Sequence, residues 1–248
     1  MFAHERRDFI VNLLTHEGRL TVGSLTERLG ISPATLRRDL AELEHAERVI
    51  RVHGGVLANH RISGEPSFQE KSRTAAAMKR GIARLAADRV PRNATVFIDG
   101  GSTCMEVGLL LKDREDLTLI TNSIPLLARC GSFSCRIIAL GGEVRRISKA
   151  TVGGLATESL RNMRADIAFV GASAMDPKAG AFTTELLEAS VKREWIRNSR
   201  HPILLADGTK WNATAAVGFA EWDDFTGFIT DSPPPVRLKG PALTILHP

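Results

Sequence analysis

Ser32-Pro33-Ala34-Thr35-Leu36-Arg37-Arg38-Asp39-Leu40 decides how the first sixty residues fold. Ser32 is a good helix N-cap, because its hydroxyl can accept a free backbone N–H of the first turn. Pro33 suits the first helical position, where no N–H is needed. Leu36, Leu40 and Leu43 then recur at helical spacing and predict a buried stripe. On a helical wheel Ala34, Arg37, Arg38 and Ala41 point away from that stripe. Small alanines let a helix approach another surface closely, and two arginines beside them suit the DNA major groove or its phosphate walls. A shorter helix fits just upstream, with Thr21 as cap, Val22, Leu25 and Leu29 as its apolar stripe, and Gly30 as the turn. Helix, glycine turn and arginine-bearing helix together predict a helix-turn-helix.

The flanks extend this reading. Residues 48–57 hold two short β-prone runs around a Gly pair, which predicts a hairpin of the kind that flanks such a helix as a wing. An earlier helix, from about His4 to His16, places Ile10, Leu13 and Leu14 on its core side. The competing reading is an ordinary helical hairpin on which Arg37 and Arg38 are merely solvated; the wing lowers it. Thr21, Ser32, Ala34, Thr35, Arg37 and Arg38 are the expected contacts to double-stranded operator DNA, joined by Arg51, His53, Gly54 and Gly55 of the wing.

Charge does not carry this expectation. The net charge of +5 lies beyond residue 60, where 25 Lys and Arg face 20 Asp and Glu. Residues 1–60 balance eight arginines against eight carboxylates, so DNA binding must rest on where the arginines sit. A neutral module makes few phosphate contacts, and useful affinity then asks for two or more modules per site. A homo-oligomer, dimer or tetramer, is the expectation.

At 248 residues, two unequal domains are expected: 1–57, a linker over 58–72 that contains Gly64 and Pro66, and 73–248. With 43% hydrophobic and 25% charged residues the material is ordinary and globular. Without a signal-like start or a long apolar stretch, a cytoplasmic location is expected. Cys104, Cys130 and Cys135 lack metal-site or disulfide spacing and read as free thiols; neither metal nor cofactor is expected.

From residue 71 the pattern changes. A helix beginning at Lys71, with Ala75, Met78, Ile82, Leu85 and Ala86 on one side, precedes an alternation of apolar strands and helices. Strands are expected at 95–99, 117–121, 136–140, 167–170, 203–206 and 227–230, with a last one at 242–246. Helices are expected at 104–111, 125–130 and 186–197. Continuous apolar strands with intervening helices predict an α/β domain around a mostly parallel sheet. In such sheets ligands bind outside the carboxyl ends of the strands. Those ends read Asp99-Gly100-Gly101-Ser102-Thr103, Thr121-Asn122-Ser123, Gly141-Gly142-Glu143, Gly171-Ala172-Ser173 and Asp207-Gly208-Thr209-Lys210. Gly100 to Thr103 open directly onto a helix, so free N–H groups, two hydroxyls and the positive helix end would suit a phosphate. Neither a Walker pattern nor a GxGxxG is present.

These motifs, in this order, resemble the DeoR family of bacterial transcriptional regulators over nearly the whole chain. The resemblance rests on residues 32–40, His53-Gly54-Gly55, residues 99–103, Thr121-Asn122-Ser123, Gly141-Gly142, Glu188-Ala189-Ser190-Val191-Lys192 and Asp207-Gly208-Thr209-Lys210. It implies a domain related to ribose-5-phosphate isomerase, without enzymatic activity, that binds a phosphorylated sugar and changes DNA affinity, typically in repressors of sugar catabolic genes. Two departures stand out. Gly208-Thr209 replaces two serines, which bears on ligand choice, and Glu47-Arg48 replaces Gly-Leu before the wing.

The expected effector site comprises Asp99, Gly100, Gly101, Ser102, Thr103, Thr121, Asn122, Ser123, Gly141, Gly142, Glu188, Lys192, Asp207 and Lys210. Several of these have a plainer reading. Glu188 and Lys192, four apart, would also make a surface ion pair. Asp99 would orient sugar hydroxyls or cap its loop, and Arg145, Arg146 and Lys149 would meet phosphate or solvent. Trp195, Trp211 and Trp222 read as core or interface, with Trp211 the nearest to the crevice. The alternative function is a sugar-phosphate isomerase carrying a DNA-targeting module, drawing its base and cation from Glu185, Glu188, Asp207 and Lys210.

Overall fold

The structure is a computed structural model describing residues 3–17, 19–45, 48–52, 55–58, 65–238 and 244–247. The chain divides into two compact units, Met1–Pro66 and Ser67–Pro248.

The first unit contains α1 (Ala3–Glu17), β1 (Arg19–Leu20), α2 (Val22–Leu29), α3 (Pro33–His45), β2 (Val49–Val52) and β3 (Gly55–Ala58). The capping residues act as their chemistry requires. Ser24 N–H donates to Thr21 Oγ1 at 3.1 Å, and Thr35 N–H donates to Ser32 Oγ at 3.2 Å. Gly30 ends α2 at φ +61°, a conformation that costs glycine least. Ile10, Leu14, Leu25, Leu36, Leu40 and Leu43 form the core with Leu20, Val49 and Val56 from the sheet. Burying each large apolar side chain is worth roughly 1.5–3 kcal/mol. The wing is three-stranded, because β1 pairs with β3, which pairs with β2. Its turn, His53-Gly54, lies outside the described residues. One contact was not foreseen. Asp39, on α3, is buried and accepts from Arg6 Nε at 2.6 Å and Nη2 at 3.2 Å, tying α1 to α3.

The second unit starts earlier than expected. Residues 68–72, read as linker, are instead helical: α4 (Phe68–Arg73) is capped by Ser67 and Glu70 in a reciprocal box. The helix expected from Lys71 onward is broken. Ala75, expected on its apolar side, sits at φ +55° and separates α4 from α5 (Ala76–Ala87), and Met78 faces solvent. The chain continues through β4 (Thr95–Ile98), α6 (Ser102–Leu110), β5 (Thr118–Thr121), α7 (Ile124–Leu127), β6 (Arg136–Ala139), β7 (Glu143–Arg145) and β8 (Ala150–Val152). Next come α8 (Gly154–Arg161), β9 (Ala165–Gly171), β10 (Ala174–Asp176), β11 (Gly180–Thr183) and α9 (Leu186–Arg197). Last are β12 (Ser199–Leu205), β13 (Val217–Ala220), β14 (Gly227–Ile229) and β15 (Thr244–Leu246).

Seven of these strands form one parallel sheet, ordered β15-β14-β12-β9-β4-β5-β6. Alternation along β4 feeds both faces. Phe97 packs with Trp195 of α9 and Leu160 of α8, while Val96 and Ile98 pack with Ile82 of α5 and Val107 of α6. The hairpin β7–β8, the helix α8 and the small antiparallel sheet β10-β11-β13 were not foreseen. Trp211 lies against Trp222 at 5.7 Å and Phe228 at 6.1 Å, within the core beneath that small sheet.

Gly142 holds the turn into the hairpin. Its φ is +144°, and a Cβ there would stand 2.4 Å from the Val152 carbonyl oxygen. Gly142→Ala is expected to cost about 1–3 kcal/mol, read as a lower urea midpoint for the second unit. An unchanged midpoint would contradict this close approach.

Candidate ligand and DNA-binding sites

On α3 the outward residues Ala34, Arg37, Arg38 and Ala41 are exposed, while Leu36, Asp39, Leu40 and Leu43 are buried. Among the described residues, neither Arg37 nor Arg38 has a carboxylate partner. Nearby arginines do: Arg48 pairs with Asp8 at 2.8 Å, Arg51 with Glu44 at 3.7 Å and Arg7 with Glu42 at 3.6 Å. The outward face of α3 therefore presents two exposed arginines without an ion-pair partner among the described residues. The hydroxyls of Thr21 and Ser32 hold helix caps, and Thr35 Oγ1 lies 2.9 Å from Ser32 Oγ. Gly55 begins β3, and the wing residue Arg51 is exposed on β2.

The second site follows from topology. Strands β4, β5 and β6 run outward on one side, and β9, β12 and β14 lie on the other, so chain order reverses between β4 and β9. Loops leaving adjacent strands in opposite directions open a crevice at that point. Gly101 and Gly171 line it closely, since a Cβ on Gly101 would stand 3.9 Å from Gly171 Cα and 3.8 Å from Asp99 Oδ2. Asp99 is committed to the fold there. Its Oδ2 accepts the Gly171 N–H at 3.0 Å and the Lys192 ammonium, which also donates to Gly171 O at 3.0 Å. Burial pushes the Lys192 ammonium down, but Asp99 and Glu188 outweigh it and hold its pKa above the ordinary value. Glu188 and Lys192 are both buried and bond elsewhere rather than to each other. Glu188 accepts from Arg145 Nη1 at 3.0 Å and from Thr183 Oγ1 at 2.9 Å.

The β5 end is mixed. Thr121 Oγ1 donates to Ile98 O, and Ser123 Oγ caps α7, so both hydroxyls serve the backbone. Asn122 donates to Thr151 O at 2.9 Å, yet its Oδ1 is buried without a partner and lies 3.4 Å from where a Gly100 Cβ would be. Gly141 is open, with nothing within 4 Å of a Cβ. Ser102 and Thr103 are buried in the first turn of α6, whose N-cap Gly101 offers no side chain.

Two lysines have Asp207 as a charged neighbour. Lys210 follows Asp207 on the turn after β12, and its pKa is lowered by burial, with Asp207 opposing and Lys71 reinforcing. Lys79, which sequence reasoning did not single out, is buried on α5 and donates to the carbonyls of Lys71 and Thr74. Burial brings its pKa down to about 8, with Asp207 and Glu106 raising it and Lys210 and Lys71 lowering it. Glu106 stands one helical turn beyond Ser102, so this cluster borders the first turn of α6. Asp207 Oδ1 accepts from Thr209 N–H, while Oδ2 is buried and unpartnered. The contrast with Lys192 is informative: that lysine has a full carboxylate partner, whereas Lys79 and Lys210 are under-compensated.

An arginine-presenting helix-turn-helix followed by a parallel α/β unit with polar strand ends is the architecture of a ligand-responsive DNA-binding protein. The DeoR-like helix-turn-helix domain matches residues 6–62 and the DeoR C terminal sensor domain matches residues 74–232, so the chain belongs to the DeoR family of transcriptional regulators. An uncharacterized HTH-type transcriptional regulator of Escherichia coli K12 is 33% identical over 93% of this chain and 91% of its own. The glycerol-3-phosphate regulon repressor of the same organism is 30% identical over 94% and 93%. The lactose phosphotransferase system repressor of Staphylococcus aureus N315 is 33% identical over 93% of each chain. Among solved structures, ribose 5 phosphate isomerase A from Neisseria gonorrhoeae aligns over 54% of this chain and 52% of its own at 14% identity, with a TM-score of 0.38. Among the described residues, no helix is long and apolar enough to cross a membrane.

Proposed function

We propose that this regulator is a cytoplasmic repressor of carbohydrate catabolic genes, that a phosphorylated sugar in the β4–β9 crevice controls its grip on operator DNA, and that it works as a homo-oligomer. The observation that carries the effector reading is the pair of lysines near Asp207, Lys79 buried and Lys210 half-buried, both held below their ordinary pKa by burial. An anion there would relieve the excess positive charge, and the N–H groups and hydroxyls of Ser102 and Thr103 would share it. The unpartnered oxygens of Asn122 and Asp207 suit the hydroxyl donors of a sugar. The names of the E. coli and S. aureus relatives, repressors of a glycerol-3-phosphate regulon and a lactose phosphotransferase system, support the same class of control.

Use of Asp99, Glu185 or Glu188 as an enzymatic base is disfavoured by the same geometry. Asp99 is neutralised by Lys192 and Glu188 by Arg145, and Glu185 Oε2 accepts the Glu188 N–H at 2.9 Å as the cap of α9. A general base needs a carboxylate free to take a proton.

A route to the DNA-binding unit runs through α4. The Phe68 N–H, at its start, donates to Ile147 O at 2.8 Å in the tip of the β7–β8 hairpin, whose Arg145 reaches Glu188 at the crevice. Ligand contacts that favour one hairpin position over another would thus bias the first residues after Pro66.

A thermal-shift series tests the reading, since a ligand stabilises the state that binds it by mass action. A phosphorylated sugar is expected to raise the unfolding midpoint, and its unphosphorylated parent at equal concentration to leave it unchanged. The pH sign follows from Lys79, which faces Lys71, Lys210, Asp207 and Glu106. An anion binds the protonated amine, and the unliganded amine loses its proton through about 8. Affinity should hold below pH 8 and fall by up to about tenfold per unit above it. Equal shifts from phosphorylated and unphosphorylated sugars would reject the anion site.

A further inference from the structure

Helix α9 has two unlike sides in its first turns. Glu188 and Lys192 point into the crevice, whereas Leu186 is 66% exposed and Leu187 39% exposed. Leu155, in the first turn of the neighbouring α8, is 75% exposed. Helices α8 and α9 pack side by side on one face of the sheet, and each presents leucines outward from its first turn. Their exposed area is on the order of 300 Å², within the range of functional patches and most of the ~450 Å² of apolar surface that each side of a standard interface buries.

We propose that Leu155, Leu186 and Leu187 form the contact with a second copy of this chain. A two-fold contact that lays α8 of one protomer on α9 of the other buries leucine against leucine. A second copy is the occupant that the first unit calls for, because a module of balanced charge gains operator affinity by acting in pairs. The surface also has a regulatory consequence, which rests on the effector reading above. The turn that presents Leu186 and Leu187 outward holds Glu188 inward, so a ligand that disturbs the Arg145–Glu188 pair acts on the interface. By reciprocity, assembly changes ligand affinity.

Sedimentation of the full chain at micromolar concentration tests the contact. The wild type is expected to run as a dimer or larger, and Leu155→Glu and Leu186→Glu to raise the dissociation constant at least about tenfold. Leu110→Glu, a comparably exposed leucine of α6 on the opposite face of the sheet, serves as the control and keeps the wild-type mass. Circular dichroism confirms that the variants are folded. A monomeric wild type, or Glu variants at positions 155 and 186 that stay assembled, overturns the proposal; so does dissociation of the Leu110 variant alongside them. These masses are measured without ligand, so they stand or fall apart from the effector reading.

Discussion

Replacing Ser102 and Lys210 together with alanine is expected to leave operator affinity within about twofold of wild type while raising the sugar phosphate needed for release at least ~100-fold. The magnitude follows from losing two hydrogen bonds to a charged group, worth about 1.5–3 kcal/mol each. Operator binding should survive because both residues belong to the second unit, whereas the exposed arginines belong to the first. Ser102 sits at the start of α6, where the helix end adds to its hydroxyl, and Lys210 contributes a full charge after β12. The readout is the concentration of sugar phosphate that half-releases a labelled operator selected from a random-sequence pool. If the double variant releases DNA at the wild-type concentration, the phosphate binds elsewhere.

The second large effect is on DNA itself. Arg37→Ala and Arg38→Ala are each expected to weaken operator binding by about 1–3 kcal/mol, roughly 5- to 150-fold, with no change in thermal stability. Both side chains are exposed, and neither has an ion-pair partner among the described residues. A base-edge contact would weaken the selected operator more than random DNA. A phosphate contact would weaken both alike and reduce the slope of affinity against salt. Asp39→Ala makes the contrasting case. It removes the buried partner of Arg6, so it should destabilise the first unit and lose binding through unfolding. Unchanged operator affinity in both arginine variants would remove α3 from the interface.

Local chemistry was the legible part of the sequence. Thr21, Gly30 and Ser32 each carry a capping or turn preference that acts within four residues, and the leucine spacing of α3 fixes which side is buried. The parallel sheet was legible for a similar reason: strands buried on both faces read as continuous apolar runs. Its polar strand ends marked the crevice. What escaped depends on distant pairing. Strands β7, β8, β10 and β11 are three or four residues long, too short to show a period. The break at Ala75 carries no glycine or proline to announce it. Lys79 reads as a solvated lysine on an amphipathic helix, yet it is buried with its ammonium held by the carbonyls of Lys71 and Thr74 at that break. The Lys192–Asp99 contact joins residues 93 apart, and Arg6–Asp39 joins residues 33 apart. In the sequence, Asp99 and Glu188 look available for catalysis or ligand binding; only the three-dimensional pairing shows both already engaged.

The central claim is that an anion in the strand-end crevice controls the hold of α3 on DNA. Its most direct test is fluorescence anisotropy of the selected operator with the full chain at pH 7, titrated alone, with a phosphorylated sugar that gives a thermal shift, and with that sugar's unphosphorylated parent. The expected result is at least a tenfold rise in operator Kd with the phosphorylated sugar and no change with its parent. The same operator Kd in all three titrations would contradict it.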